Sequence, residues 1–145
     1  MMTHIDPNNT QAILIGASEF DDEGLPDLPN VKTNLLKLND LLHEVVGIEK
    51  SQIHLMLDRD NSDAITSEII EIVPNALDTI IVYYAGHGIP FQKKLYLATK
   101  RTKYNKPRYS GAIESSNLVN SVIEESKRVK NIISIIDCCF SAMAK

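Results

Sequence analysis

The sequence predicts an α/β domain: a mostly parallel sheet with helices on both faces. Three observations predict it. Short apolar runs, Gln11–Ser18, Leu77–Ala85 and the stretch opening at Ile133, read as strands covered on both sides. They alternate with amphipathic segments in the order strand, helix, strand, helix, strand, helix, strand, the order of crossover units in a parallel sheet. The two most apolar strands also end abruptly in reactive side chains, where open α/β sheets keep their sites.

Residues 1–10 are polar and read as a frayed lead-in, and residues 11–145 as one domain with a real core. Gln11–Ser18 is the first strand. Glu19–Asn30 is a loop broken by Gly24, Pro26 and Pro29, and its acids read as a solvated surface rather than a cation site. Val31–Val46 is the first helix, with Val31, Leu35, Leu38, Leu42 and Val45 on one face, Asn30 as cap and Gly47 as left-handed stop. Ile53–Leu57 is a short strand. Asn61–Val73 is the second helix, capped by Asn61 or Ser62, facing inward through Ile65, Ile69, Ile72 and Val73, and ended by Pro74.

The central strand Leu77–Ala85 follows, then a marginal or hairpin strand at Leu95–Thr99. Lys100–Tyr109 is a basic loop interleaved with Tyr104 and Tyr109, read as solvated. Ser115–Lys127 is the third helix. The last strand is apolar on both faces and so belongs in a sheet interior, with more protein expected to pack against its outer flank.

Composition removes several classes. A net charge of −4 argues against a general nucleic-acid binder. No run of eighteen apolar residues exists, and the amino terminus lacks a signal peptide's apolar core, so a cytoplasmic protein with no membrane partner is expected. The two cysteines are neighbours and imply no disulfide framework. No glycine-rich phosphate loop supports a nucleotide-binding reading.

Two stretches carry the chemistry. Thr79–Gly88 ends in Gly86-His87-Gly88, and the last strand ends in Asp137-Cys138-Cys139. A thiol with a pKa near 8.5 is only slightly ionised at neutral pH, and an imidazole within reach activates it and later protonates the leaving amine. The N–H groups of Gly88 and of the nucleophile can form an oxyanion hole. One of the two thiols is the nucleophile and the other a structural neighbour. Strand alternation puts Asp137 and Cys139 on the same side. His4, His43 and His54 lack such a setting. Adjacent cysteines with one placed histidine do not give tetrahedral zinc spacing, so no metal site is expected.

Together, Tyr83-Tyr84-Ala85-Gly86-His87-Gly88 and Asp137-Cys138-Cys139-Phe140-Ser141-Ala142 resemble the histidine and cysteine motifs of the caspase and metacaspase clan of cysteine peptidases. Their order and separation of about fifty residues agree with that clan. The resemblance runs from Ala12 through Leu28-Pro29-Asn30-Val31 to Ala142 and is closest to bacterial caspase-like domains. It implies a three-layer caspase-like fold lacking the small-subunit strands. Cys139 would be the nucleophile, His87 its base, Gly88 and Cys139 the oxyanion-hole amides, and Asp137 the acid selecting Lys or Arg before the cut.

The resemblance further implies a self-processed zymogen in antiviral defence or programmed cell death. Its partners would be a small subunit or C-terminal remainder, a protein substrate and a sensor module. Lys145 would be a self-cleavage end. Calcium activation occurs in metacaspases, but the acids of Asp58–Asp63 are no dedicated motif, and no cofactor is expected. Two positions depart from the pattern: Asn34 stands where metacaspases carry a further acid, and Ala142 where glycine is usual. A non-catalytic caspase-fold interaction module is the alternative.

Overall fold

The computed structural model describes residues 4–104 and 109–139. Six strands, β1 (Thr10–Gly16), β2 (Ile53–Leu57), β3 (Thr79–Phe91), β4 (Lys94–Leu97), β5 (Ile113–Glu114) and β6 (Asn131–Cys139), form one sheet. Three α-helices, α1 (Pro29–Leu41), α2 (Ser62–Ile72) and α3 (Ser115–Glu125), cover it. β2, β1, β3 and β6 lie side by side in parallel, with β3 between β1 and β6. β4 runs antiparallel to the distal part of β3, and β5 antiparallel to β4.

Period-two alternation divides the apolar residues between two cores, which makes the three layers. Ile13, Ile15, Val82 and Tyr84 face α2 and α3, packing with Ile65, Ile69, Leu118 and Val122. Ala12, Leu14 and Ile81 face α1, packing with Leu35, Leu42 and Ile48. A third, smaller cluster of Leu25, Ile89 and Ala98 anchors the loop after β1 onto the β3–β4 hairpin.

Several boundaries differ from the sequence reading, each for a local reason. β3 does not stop at Ala85 but continues to Phe91, because its distal half finds a partner in β4 through a Gln92–Lys93 turn. Both turn residues have positive φ, 50° and 66°, which suits the twist of a tight hairpin. Part of the lead-in is ordered: Asp6 caps a 3-10 turn at Pro7–Asn9, and its own N–H bonds the Asp78 carboxylate at 2.9 Å. α1 begins at Pro29, so Asn30 lies inside the helix and does not cap it.

α1 runs directly into one π-helical turn, Leu42–Val46, before Gly47 stops it at φ 89°. The wider turn rotates everything beyond it. Leu42 is buried, whereas Val45, expected on the same face, is 74% exposed.

Among the described residues β6 pairs only with β3, so its outer flank lies open, as the sequence reading anticipated for a strand of interior character. Ile132 and Ile135 are left 36% and 47% exposed as a result.

Candidate active site

The register of β3 against β6 brings the two motifs together. Ala85 pairs with Asp137, Gly86 with Cys138 and His87 with Cys139. The two strands run parallel in this register, so the imidazole and thiol of the last pair meet: Cys139 Sγ lies 3.6 Å from His87 Nδ1.

The His87 ring is fully buried. Its Nε2 lies 2.7 Å from the carbonyl oxygen of Pro26. A carbonyl only accepts, so Nε2 carries the proton and the Nδ1 of a neutral ring presents its lone pair to the thiol. Phe20 packs against the ring with centroids 4.8 Å apart. The loop supplying Phe20 and Pro26 is itself braced. Leu28 N–H bonds Ser18 O at 2.7 Å, and the Asp58 carboxylate accepts from Ser18 N–H, the Ser18 hydroxyl and Glu19 N–H.

The two cysteines point to opposite faces of β6, as alternation requires. Cys139 is exposed. Cys138 is half-buried and packs with Ile136 onto the α2–α3 core. Burial, with the neighbouring Cys139 and Asp137 adding to it, raises the Cys138 pKa above the ordinary thiol value. The flanking glycines are explained by packing within the sheet. A Cβ on Gly88 would come within 2.5 Å of Cys138 Sγ, and one on Gly86 would overlap the Tyr84 hydroxyl.

The two tyrosines before the histidine motif serve the site in different ways, which sequence reasoning missed. Tyr84 is fully buried, and its hydroxyl lies 2.7 Å from Ala98 O and 3.1 Å from His87 O, joining β3 to the end of β4. Tyr83 lies on the other face and donates its hydroxyl to Asp137 Oδ2 at 3.0 Å. Burial first, then the hydrogen bond to Asp137 and that carboxylate's charge, push the Tyr83 pKa up to about 12, so the phenol remains a donor at neutral pH. An aromatic at alternate strand positions reads as core, so neither role leaves a signal in the sequence.

Beside Cys139 opens a cleft of about 280 Å³. It is lined by Gly86, Asp137 and Cys139 from the sheet and by Asp27, Asn30 and Asn34 from the loop and first turns of α1. Asn34, Asp137 and Cys139 of the sequence reading thus line one cleft, His87 meets Cys139, and Gly88 follows His87 along β3. Phe140–Ala142 and Lys145 lie outside the described residues, as do Lys106 and Arg108 of the basic loop. Tyr104 and Tyr109 of that loop pack against each other, with ring centroids 5.9 Å apart. Among the described residues no group of three His, Cys, Asp or Glu side chains can hold a metal ion, and no helix is long and apolar enough to cross a membrane.

Neighbouring strands of a sheet with helices on both faces thus bring a thiol and an imidazole together, the pairing that a cysteine hydrolase requires. The family model for the caspase domain matches residues 9–145, and the chain belongs to this family of cysteine peptidases. A search of curated proteins gave no significant match.

Proposed function

We propose that the protein is a cysteine endopeptidase that cuts polypeptides after Lys or Arg, with Cys139 as nucleophile and His87 as base. The observation that carries this reading is the 3.6 Å approach of Cys139 Sγ to His87 Nδ1, on a ring whose other nitrogen is engaged by the Pro26 carbonyl. The thiol proton passes to Nδ1, and the thiolate attacks the scissile carbonyl carbon. The N–H groups of Gly88 and Cys139 stabilise the resulting oxyanion. The imidazolium then gives its proton to the departing amine, leaving an acyl-enzyme. His87 next takes a proton from water, whose attack on the thioester releases the acid and restores the thiol. The reaction as written uses no cofactor.

Asp137, in the cleft beside the nucleophile, would pair with the basic side chain preceding the cut. The exposed outer edge of β6 offers a place for a small subunit or C-terminal remainder of the same precursor. A zymogen of this kind, released by a sensor module, fits a defence or cell-death pathway.

The test uses the full-length protein with peptide reporters ending in Arg, Lys, Asp or Gln. Turnover is expected after Arg and Lys and is lost in Cys139→Ala, and mass spectrometry of the parent alone finds a new carboxyl terminus after a Lys or Arg. Undiminished cleavage by Cys139→Ala would sink the assignment. Failure of an Arg-ended peptidyl ketone to label Cys139 would favour a caspase fold used only for docking.

A further inference from the structure

The acidic stretch Asp58–Asp63 finds a use within the molecule at its first residue. Asp58 directly follows β2 and has φ 54°, a left-handed conformation uncommon outside glycine, which marks a residue held by its surroundings. The carboxylate shows what holds it. Oδ1 accepts from Ser18 N–H at 2.7 Å and from Glu19 N–H at 3.1 Å, and Oδ2 accepts from the Ser18 hydroxyl at 2.7 Å. We propose that Asp58 is a positioning residue for His87, acting through residues 18–28 on the ring that activates Cys139. The inference rests on the Cys139–His87 reading above and extends its machinery to the end of a third strand.

The connection is short. Ser18 O accepts Leu28 N–H at 2.7 Å, so the two ends of the loop meet at Ser18. Phe20, whose ring packs on the imidazole, directly follows Glu19. Pro26, whose carbonyl accepts Nε2–H, stands just ahead of Leu28. Both contacts to the ring therefore spring from the base that Asp58 grips. Three donors on one carboxylate make short, charge-assisted bonds that fix the direction of that base. Ser18 is buried, so without the carboxylate its N–H and hydroxyl lose their acceptor and the loop must shift to satisfy them. Backbone bonds hold Asp58 in turn: its N–H bonds Gly16 O at 2.9 Å, and the next residues are tied by Arg101 N–H to Asp60 O at 2.9 Å. A misplacement of about 1 Å in a catalytic group lowers a rate by about a hundred-fold.

Two substitutions separate the side chain from the backbone that carries it. Glycine takes a positive φ freely, so Asp58→Gly removes the carboxylate without adding strain. Asparagine also tolerates this conformation; its carbonyl can accept the two N–H groups and its amide can donate to the Ser18 hydroxyl. In the full-length protein, with the reporter that the parent cleaves fastest, Asp58→Gly is expected to lower kcat about ten-fold with KM within about two-fold. Asp58→Asn should stay within about two-fold of the parent in both. The second readout is the His87 Nε2–H proton in proton–nitrogen NMR spectra, assigned by its loss in His87→Gln. It is expected to resist exchange with water in the parent and in Asp58→Asn, and to exchange away in Asp58→Gly. If Asp58→Gly melts at a lower temperature but keeps kcat and the resonance, Asp58 only braces the fold and the proposal is overturned. Asp58→Asn as impaired as Asp58→Gly also overturns it, because asparagine supplies the same bonds. Should Asp58→Gly not fold, Ser18→Ala removes the hydroxyl bond alone, and an unchanged kcat and exchange rate there overturn the proposal. A parent that turns over no reporter defeats the cleavage reading by itself, and the resonance still decides for Asp58.

Discussion

Cys138 and Cys139 differ by one position in sequence and by a whole face of the sheet in space. Cys138 sits against Gly88 and the α2–α3 core with its ionisation suppressed, whereas Cys139 is exposed beside an imidazole. Alkylation should follow that division. With substoichiometric iodoacetamide at neutral pH, peptide mapping is expected to find the label on Cys139 well before Cys138, and a reversed order would contradict the geometry. Alternation along a strand was enough to say from sequence that Asp137 and Cys139 share a side. It could not show that Gly88 makes room for Cys138, because that close approach depends on which strands become neighbours.

At the scale of the elements, α1 offers the sharpest test of packing. Its heptad-like spacing places Leu42 and Val45 on one stripe, but the π-helical turn keeps Leu42 inside and turns Val45 outward. Leu42→Ala is expected to cost about 2–5 kcal/mol in chemical denaturation, as for a truncated core leucine. Val45→Ala should stay within about 0.5 kcal/mol. Comparable losses at both would show the helix to be regular through Val46. α1 and α2 were legible because an apolar period meets a recognisable boundary, Gly47 after α1 and Asn61 capping Ala64 N–H at 3.0 Å ahead of α2, whereas α3 shows its apolar period alone: Ser115 and Ser116, read as its cap, lie inside it. The distal half of β3 was not, because Ile89-Pro90-Phe91 becomes strand only when β4 folds back on it. The open flank of β6 was legible for a different reason: a strand apolar on both faces, followed by no further strand pattern, leaves its outer edge unpaired.

Taken whole, the molecule should tolerate neutral pH best and weaken on both sides. His54 bonds Gln11 Oε1 through Nε2 at 2.7 Å, and burial lowers its pKa from the ordinary 6.5, with Glu68 opposing. The fold therefore favours the neutral ring. Its contribution is complete above about pH 6.5 and is lost as pH falls through the lower folded value. On the alkaline side, the raised Cys138 and Tyr83 act in the opposite sense. Their contributions are complete below the ordinary values of 9.0 and 10.0 and are lost as pH rises, for Tyr83 through about 12. Melting temperatures measured from pH 4 to 11 should trace a dome, and His54→Gln should flatten its acidic flank. An unchanged acidic flank in that variant would exclude His54 as a cause. One further consequence belongs to the molecule as a whole. The group that aims the imidazole is main chain, the Pro26 carbonyl, so no exchange of side chain can delete it. Whatever reshapes residues 18–28 re-aims the His87 ring beside Cys139, so a curl of backbone outside both motifs sets the geometry between them.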